Sequence, residues 1–398
     1  MPNPMPLFKR ISAASLLLVM ASAFSAEEIL VDTKEALGPF EYSDVLARDV
    51  SCFAKHEECY LVLTGSVQQD SMNKNMLSIW KPSGKSGAEK LAALPLGDDF
   101  FRLISETNGN WLSLYVETVN SPPAVYVFNR SDKTFSNVSD SVGRYIPIDS
   151  LKSAKVTANG ALALLHDTPA GCCEVLIMDI KSKKALAQKT LDFMHDQEIS
   201  PLDFDITQEG YVLAGALSDT SEQIGAVSVS PKDGDALITA QGKDRYYYAV
   251  DAAGRYIYAS GNSMEFGGGV LAVFLPQAKE KPELISEIFS KSTGSSTLNF
   301  SPLCGGYFAE AFTNQKTAPY KEFEVVIAAA PDVGVKADKL EFKVGTSSPL
   351  AFKSVIPYVE DDRLFIVINA TEFDEVNRGF HNRIYRKEVA KFALCAND

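Results

Sequence analysis

An alternating apolar strand recurs seven times along this chain, beginning near Tyr60, Trp111, Ala161, Tyr211, Tyr256, Tyr307 and Arg363, at spacings of 45 to 56 residues. A period in this range, with several short strands per unit, marks a repeat architecture. Each unit then buries its apolar faces only against its neighbours. Every unit reads as strand, tight turn, strand, longer loop, strand, short turn, strand. The fifth is the clearest, with strands expected at 246–250, 255–260, 269–275 and 283–288. A glycine recurs in the first turn, at Gly109, Gly160, Gly210, Gly254 and Gly306, where a two-residue hairpin connection asks for positive φ. Units one and seven place His56-Glu57-Glu58 and Glu360-Asp361-Asp362 there instead, as atypical end units do.

The second and third strands of the units are apolar nearly throughout, as at 112–116, 124–128 and 364–368. Strands buried on both faces read this way, so the sheets are expected to stack face against face. A closed ring of such sheets also explains how so many short strands coexist without open edges. The expected fold is therefore all-β, a seven-bladed β-propeller of four-stranded antiparallel blades over residues 24–398. Its last blade would be closed by the N-terminal segment Ile29-Leu30-Val31, and the chain would end soon after the third strand of that blade, near 390–394. Six or eight blades are the neighbouring alternatives. A two-sheet sandwich would not require even spacing. Over essentially all of the mature sequence the chain resembles the β-propeller superfamily. The Trp-Asp and Gly-His signatures of WD40 repeats, the aspartate box of sialidases and the Tyr-Trp-Thr-Asp repeat of quinoprotein dehydrogenases are missing. The run Asp-Ala-Ala-Gly-Arg-Tyr-Ile-Tyr at 251–258 is loosely similar to exported bacterial propellers of the lactonase-like and amine-dehydrogenase β-chain type. No site residue follows from that likeness.

The N-terminus reads as a targeting segment. Lys9 and Arg10 precede an apolar stretch at 11–23 containing Leu16-Leu17-Leu18-Val19-Met20, and Ala21-Ser22-Ala23 supplies small residues for cleavage before Phe24. This is the pattern of a signal peptide over residues 1–23. The stretch is too short to span a bilayer, which takes about 20 apolar residues, so an exported, periplasmic or secreted, protein without an integral membrane segment is expected. Loss of Lys9 and Arg10 with that segment takes the formal charge from −13 to −15. A surface that negative repels phosphate backbones and disfavours nucleic acid.

Six cysteines in an exported chain suggest disulfides. Cys52 and Cys59 flank the first hairpin turn and are expected to pair. Cys304 and Cys395 fall on one face in neighbouring blades and are expected to staple the closure. Cys172 and Cys173 are adjacent, with Cα atoms about 3.8 Å apart, so a bond between them would be strained. They stand as a redox pair, a weak metal candidate or two small apolar residues.

The loops joining second to third strands, and those joining one blade to the next, crowd one face around the central channel. The candidate ligand-binding residues there are Glu117, His166, Asp167, His195, Asp196, Asn262, Asn369 and His381. His166, His195, Cys172 and Cys173 together form a weak zinc or copper candidate; no cofactor is otherwise expected, and no catalytic residue is assigned. The tyrosines of the fifth unit are expected to pack between blades. The expected function is a scaffold binding a protein or peptide partner through the channel-face loops. The alternative is an enzyme of hydrolase or lactonase type, or an accessory subunit of a periplasmic redox enzyme.

Overall fold

The computed structural model describes residues 36–391 apart from short connecting segments, the longest at 290–300, 314–321 and 330–337; for the strands it describes within 207–244 and 301–354 it gives backbone only. Among the described residues the strands form seven sheets, six of four strands and one of five. Within each sheet the main strands follow one another in chain order and pair antiparallel. The innermost strands lie side by side around a central axis: Ser43–Phe53, Phe100–Asn108, Leu151–Val156, Ile199–Ile206, Arg245–Ala253, Ser301–Pro302 and Leu350–Glu360. The strand next to the last of these packs against the first sheet, so the ring closes. This is an all-β propeller.

The repeat register read from the sequence locates the second strands. They are Glu58–Gln69, Trp111–Thr118, Ala161–Thr168, Gly210–Leu217, Tyr256–Ser263, Tyr307–Thr313 and Arg363–Asp374. Gly109 and Gly160 adopt positive φ in the turns that precede them. In the last sheet the same role falls to Asp361, at φ 48°, a conformation that aspartate tolerates better than most side chains. The core consists of clusters between neighbouring sheets. Leu162, Leu164, Leu176 and Met178 face the second sheet with Tyr115, Val125 and Val127. Their neighbours Ala163, Leu165 and Val175 face the fourth sheet with Phe204. Side chains alternate across a strand, so a strand between two sheets must be apolar on both faces.

Several features depart from the expectation. The segment that pairs with the last sheet is Ala36–Leu37, opposite Tyr385 and Ile384; the expected closing segment Ile29–Val31 lies outside the described residues. After Leu37 the chain turns at Gly38, whose amide donates to Ser86 O at 3.0 Å, and crosses into the first sheet. The connection from second to third sheet carries a helical turn at Ser139–Val142 and a 3-10 turn at Ile148–Ser150. These pack Val138, Val142 and Ile146 into the cleft between the two sheets. The fifth strand of the fourth sheet is Asp192–Phe193, which pairs parallel to Ala236–Lys243.

Cys52 and Cys59 stand opposite each other in the first hairpin and form a disulfide. Cys173 is buried and disulfide-bonded. Cys304, Cys395 and the side chain of Cys172 lie outside the described residues.

Candidate functional site

The innermost strands bring six charged side chains to the channel. Glu106, Lys155, Asp205 and Asp251 each sit near the end of their strand, where it enters the turn to the second strand, and Asp49 and Asp203 join them. The reason for so many acids is local. The inner edge of a propeller blade has no ladder partner, so its backbone N–H groups need other acceptors. Asp203 Oδ2 accepts from Val250 N at 3.0 Å and Asp205 Oδ2 from Ala252 N at 2.8 Å, stitching the fourth sheet to the fifth. Asp49 and Asp205 also cap the amides of Val50 and Ile206. Lys155 Nζ donates to Val250 O at 3.1 Å and lies 3.4 Å from Asp203 Oδ2.

Charge in this enclosure is unbalanced, and proton affinities respond. Burial pushes Glu106 up to about 8 despite the attraction of Lys155, with Asp205, Asp203 and Asp49 adding to the effect. Burial likewise pushes Asp49 up to about 7, opposed by hydrogen bonds from Val50 and Ser51. Asp251 is raised well above the carboxylate range by burial and by Asp205 and Glu106. Burial works against the charge on Lys155, but Asp203, Asp205, Glu106 and Asp251 together hold it protonated. These groups satisfy one another and the strand edges. Among the described residues no group of three or more His, Cys, Asp or Glu is arranged to hold a metal ion.

The face at the other end of the channel carries the sequence-derived candidates. Glu117 pairs with Arg102 at 3.6 Å and accepts the Tyr115 hydroxyl at 2.6 Å; that hydroxyl also reaches Leu151 O. Burial and the neighbouring Glu117 carboxylate raise the Tyr115 hydroxyl above its usual range. Arg102 donates as well to Leu202 O, so one side chain ties the second sheet to the fourth. Asp167 pairs with Lys152 at 2.9 Å. His166 is buried at 4% exposure, with Nδ1 3.0 Å from Asp167 O. Asn262 donates to the Tyr248 hydroxyl at 2.9 Å. His381 is exposed, opposite Glu372 in the last hairpin. His195 and Asp196 lie outside the described residues, so the expected meeting of His166 with His195 has no described geometry.

Asn369 is a correction. It is 1% exposed and lies within a strand, its side chain accepting from Ala47 N at 2.7 Å and donating to Ala47 O at 2.8 Å. It clamps the last sheet to the first, and no surface remains for a ligand. Tyr247 is in the core as expected for packing, with its ring 6.0 Å from Phe274, whereas Tyr246 and Tyr248 pair with each other at 4.8 Å.

Sequence reasoning missed the relief of this face. In the first sheet the second and third strands have 12 residues each, and in the last sheet 12 and 13. In the fifth sheet both have 8. The excess of some four residues raises the adjoining first and last sheets by roughly 13 Å. Phe380, 71% exposed, sits at the crest of the last sheet with its ring 5.1 Å from Phe373. Val119, 60% exposed, lies in the connection between second and third strands of the second sheet, on the same face, whereas Tyr145 reaches the turn at Lys183 O at the other end of the third sheet. The other large exposed apolar side chains described, Leu186, Leu284 and Ile285, lie on outermost strands.

No protein-family model matches the chain, and no curated protein matches it. Solved structures do. The β-propeller domain of the Trilobed protease from Pyrococcus furiosus has 10% identity and a TM-score of 0.48, covering 88% of this chain and 99% of that one. The acylaminoacyl peptidase of Pyrococcus horikoshii has 9% identity and a TM-score of 0.45, covering 89% of this chain and 54% of that one. TolB from Acinetobacter baumannii has 11% identity and a TM-score of 0.39, covering 69% and 61%. This chain therefore spans only about half the length of the peptidase. These likenesses concern the course of the chain, and no activity or partner is carried over from them.

Proposed function

We propose that this protein is an exported propeller, periplasmic in location, that binds a protein or peptide partner through the channel face where the first and last sheets rise highest. One observation carries the reading. Phe380 stands 71% exposed at the crest of that wall, backed by Phe373, with Val119 exposed on the same face. A large apolar side chain placed in water at a prominent position gains most when a partner covers it, and aromatic anchors dominate such contacts. The Cys52–Cys59 disulfide supports an oxidising compartment. On the same face, in the second and third sheets, Arg102 is paired with Glu117 and Lys152 with Asp167 within the protein.

The test is site-specific photo-crosslinking in the exporting cell. A benzophenone side chain replaces Phe380 in one variant, Val119 in a second and Leu186, on an outer strand, in a third. A discrete adduct from positions 380 and 119, with none from 186, is expected. Adducts from 186 alone, or none from any position, would overturn the reading.

A further inference from the structure

We infer that the partner enters as an extended peptide, added as a strand to the upper edge of Gly379–Lys391 over Gly379–Arg383. This deepens the reading of the crest proposed above and rests on it. The last sheet is closed more sparsely than its neighbours. Its third strand has 13 residues, and the outermost strand, Ala36–Leu37, pairs with only two of them, Tyr385 and Ile384. Outermost strands elsewhere cover most of the strand beside them. Glu283–Phe289 pairs with six of the eight residues of Gly268–Leu275, and Gly87–Pro95 with eight of the twelve of Met72–Ser83.

From Ala36 to Leu37 the pairing advances from Tyr385 to Ile384, towards the crest. It stops at Gly38, because the chain there crosses to the first sheet. Gly38 N donates to Ser86 O, Phe40 packs on Trp80 at 5.0 Å, and Glu41 pairs with Lys90. Among the described residues no other strand pairs with the outer side of Gly379–Arg383. Every second residue there turns its N–H and C=O outward, and Phe380, His381 and Arg383 are exposed. The matching edge of the first sheet is tied off. Asn75 O accepts from Leu96 N at 2.7 Å, and the Asn75 side chain donates to Asp99 at 2.9 Å. Natural edges are blunted by lysine, proline or a bulge. Gly379–Arg383 has neither lysine nor proline. Its arginine is engaged by Glu372 at 3.5 Å, and its ladder to the second strand is regular from Phe365 to Asp374.

Side chains add selectivity to this edge. Phe380, Asn382 and Ile384 share a face, and Ile384 belongs to the cluster between the last and first sheets. Phe380 and Phe373 therefore continue upward the apolar seam in which Val67 and Met76 of the first sheet are only partly buried. An added strand continues the ladder that Ala36–Leu37 begins and presents alternate side chains to that seam. The peptide that fits is extended, with an apolar side chain set against Phe380. Main-chain bonds hold such a peptide, and its alternate side chains select it.

The experiment starts from the benzophenone variant at position 380 in the exporting cell. Mass spectrometry locates the adduct, and the adducted segment of the partner is made as a synthetic peptide and titrated against the purified full chain. N-methylation of single backbone amides along the peptide is expected to weaken binding about tenfold at alternate positions and little at those between. The peptide is also expected to slow hydrogen exchange within 379–383. On the protein side, His381→Pro and Asn382→Pro each remove one N–H, and one of the two faces outward. The variant that keeps its melting temperature is expected to lose the adduct. If neither proline variant folds, the peptide series decides. An adduct from position 380 without alternation in the peptide series overturns strand addition and leaves the crest reading standing. An adduct with a second copy of this chain overturns it too. No adduct from any position overturns the crest reading itself, and strand addition with it.

Discussion

Asn369 shows how one side chain can replace two backbone bonds. Its amide offers an acceptor and a donor in fixed geometry, matching the N–H and C=O of Ala47 across the closure of the ring. Asn369→Ala removes both at once and leaves two buried backbone groups unsatisfied. The expected loss is about 2–4 kcal/mol, measured as a lower urea midpoint. Asn369→Asp keeps the acceptor but presents a second one to Ala47 O, so it is expected to be as damaging near neutral pH and milder in acid. A midpoint unchanged in Asn369→Ala would show that water takes over the bonds.

At the scale of elements, the innermost strands carry the cost of having an unpartnered edge. Their carboxylates cap amides, yet they crowd charge into one enclosure. Glu106, raised from 4.5 to about 8 in the fold, binds its proton more tightly there than in the unfolded chain. Its contribution is therefore fully present below about pH 4.5 and is lost as pH rises towards 8. Glu106→Gln is expected to flatten that decline, by at most about 1.4 kcal/mol per pH unit, with little effect at pH 4. Thermal melts of both proteins across pH 4 to 9 give the slopes; parallel curves would count against the burial of this group. The first hairpin carries the opposite device. The Cys52–Cys59 bond spans a sequence separation of seven, and in the chain-entropy account a loop that short is worth about 2.5 kcal/mol. The double substitution to alanine is expected to lose that much and to keep the fold.

For the whole molecule, closure joins the two ends of the described chain: Ala36–Leu37 pairs in the last sheet and the chain then runs on into the first. Arg386 holds the junction. It pairs with Glu360 and donates to the Tyr358 hydroxyl, and its guanidinium lies 4.0 Å over the Phe365 ring. Glu360 in turn accepts from Cys59 N of the first sheet at 3.3 Å. Arg386→Ala is expected to cost about 2–3 kcal/mol and to speed proteolysis near residues 36–42 more than elsewhere. Phe380→Ser is expected to leave the melting temperature within a degree or two while removing the partner contact, since an exposed ring contributes little to the fold. Equal losses in stability and binding would place Phe380 in the core instead.

The sequence by itself determined the repeat. Strand positions follow from alternation and from glycine in the turns, both local properties, so the seven second strands begin within about two residues of where the pattern places them. The Cys52–Cys59 pair followed from the same hairpin register. The channel acids were also within reach: Glu106, Lys155, Asp205 and Asp251 recur with nearly the period of the strands. They were overlooked because a carboxylate near a turn ordinarily signals solvent. Tertiary structure alone decided which polar residues are buried. Asn369 and His166 sit in segments that read as loop margins, yet neighbouring sheets close over them. It also decided which sheets rise above the channel face and leave Phe380 in water. Burial depends on what packs against a residue from distant parts of the chain, and no local pattern encodes that.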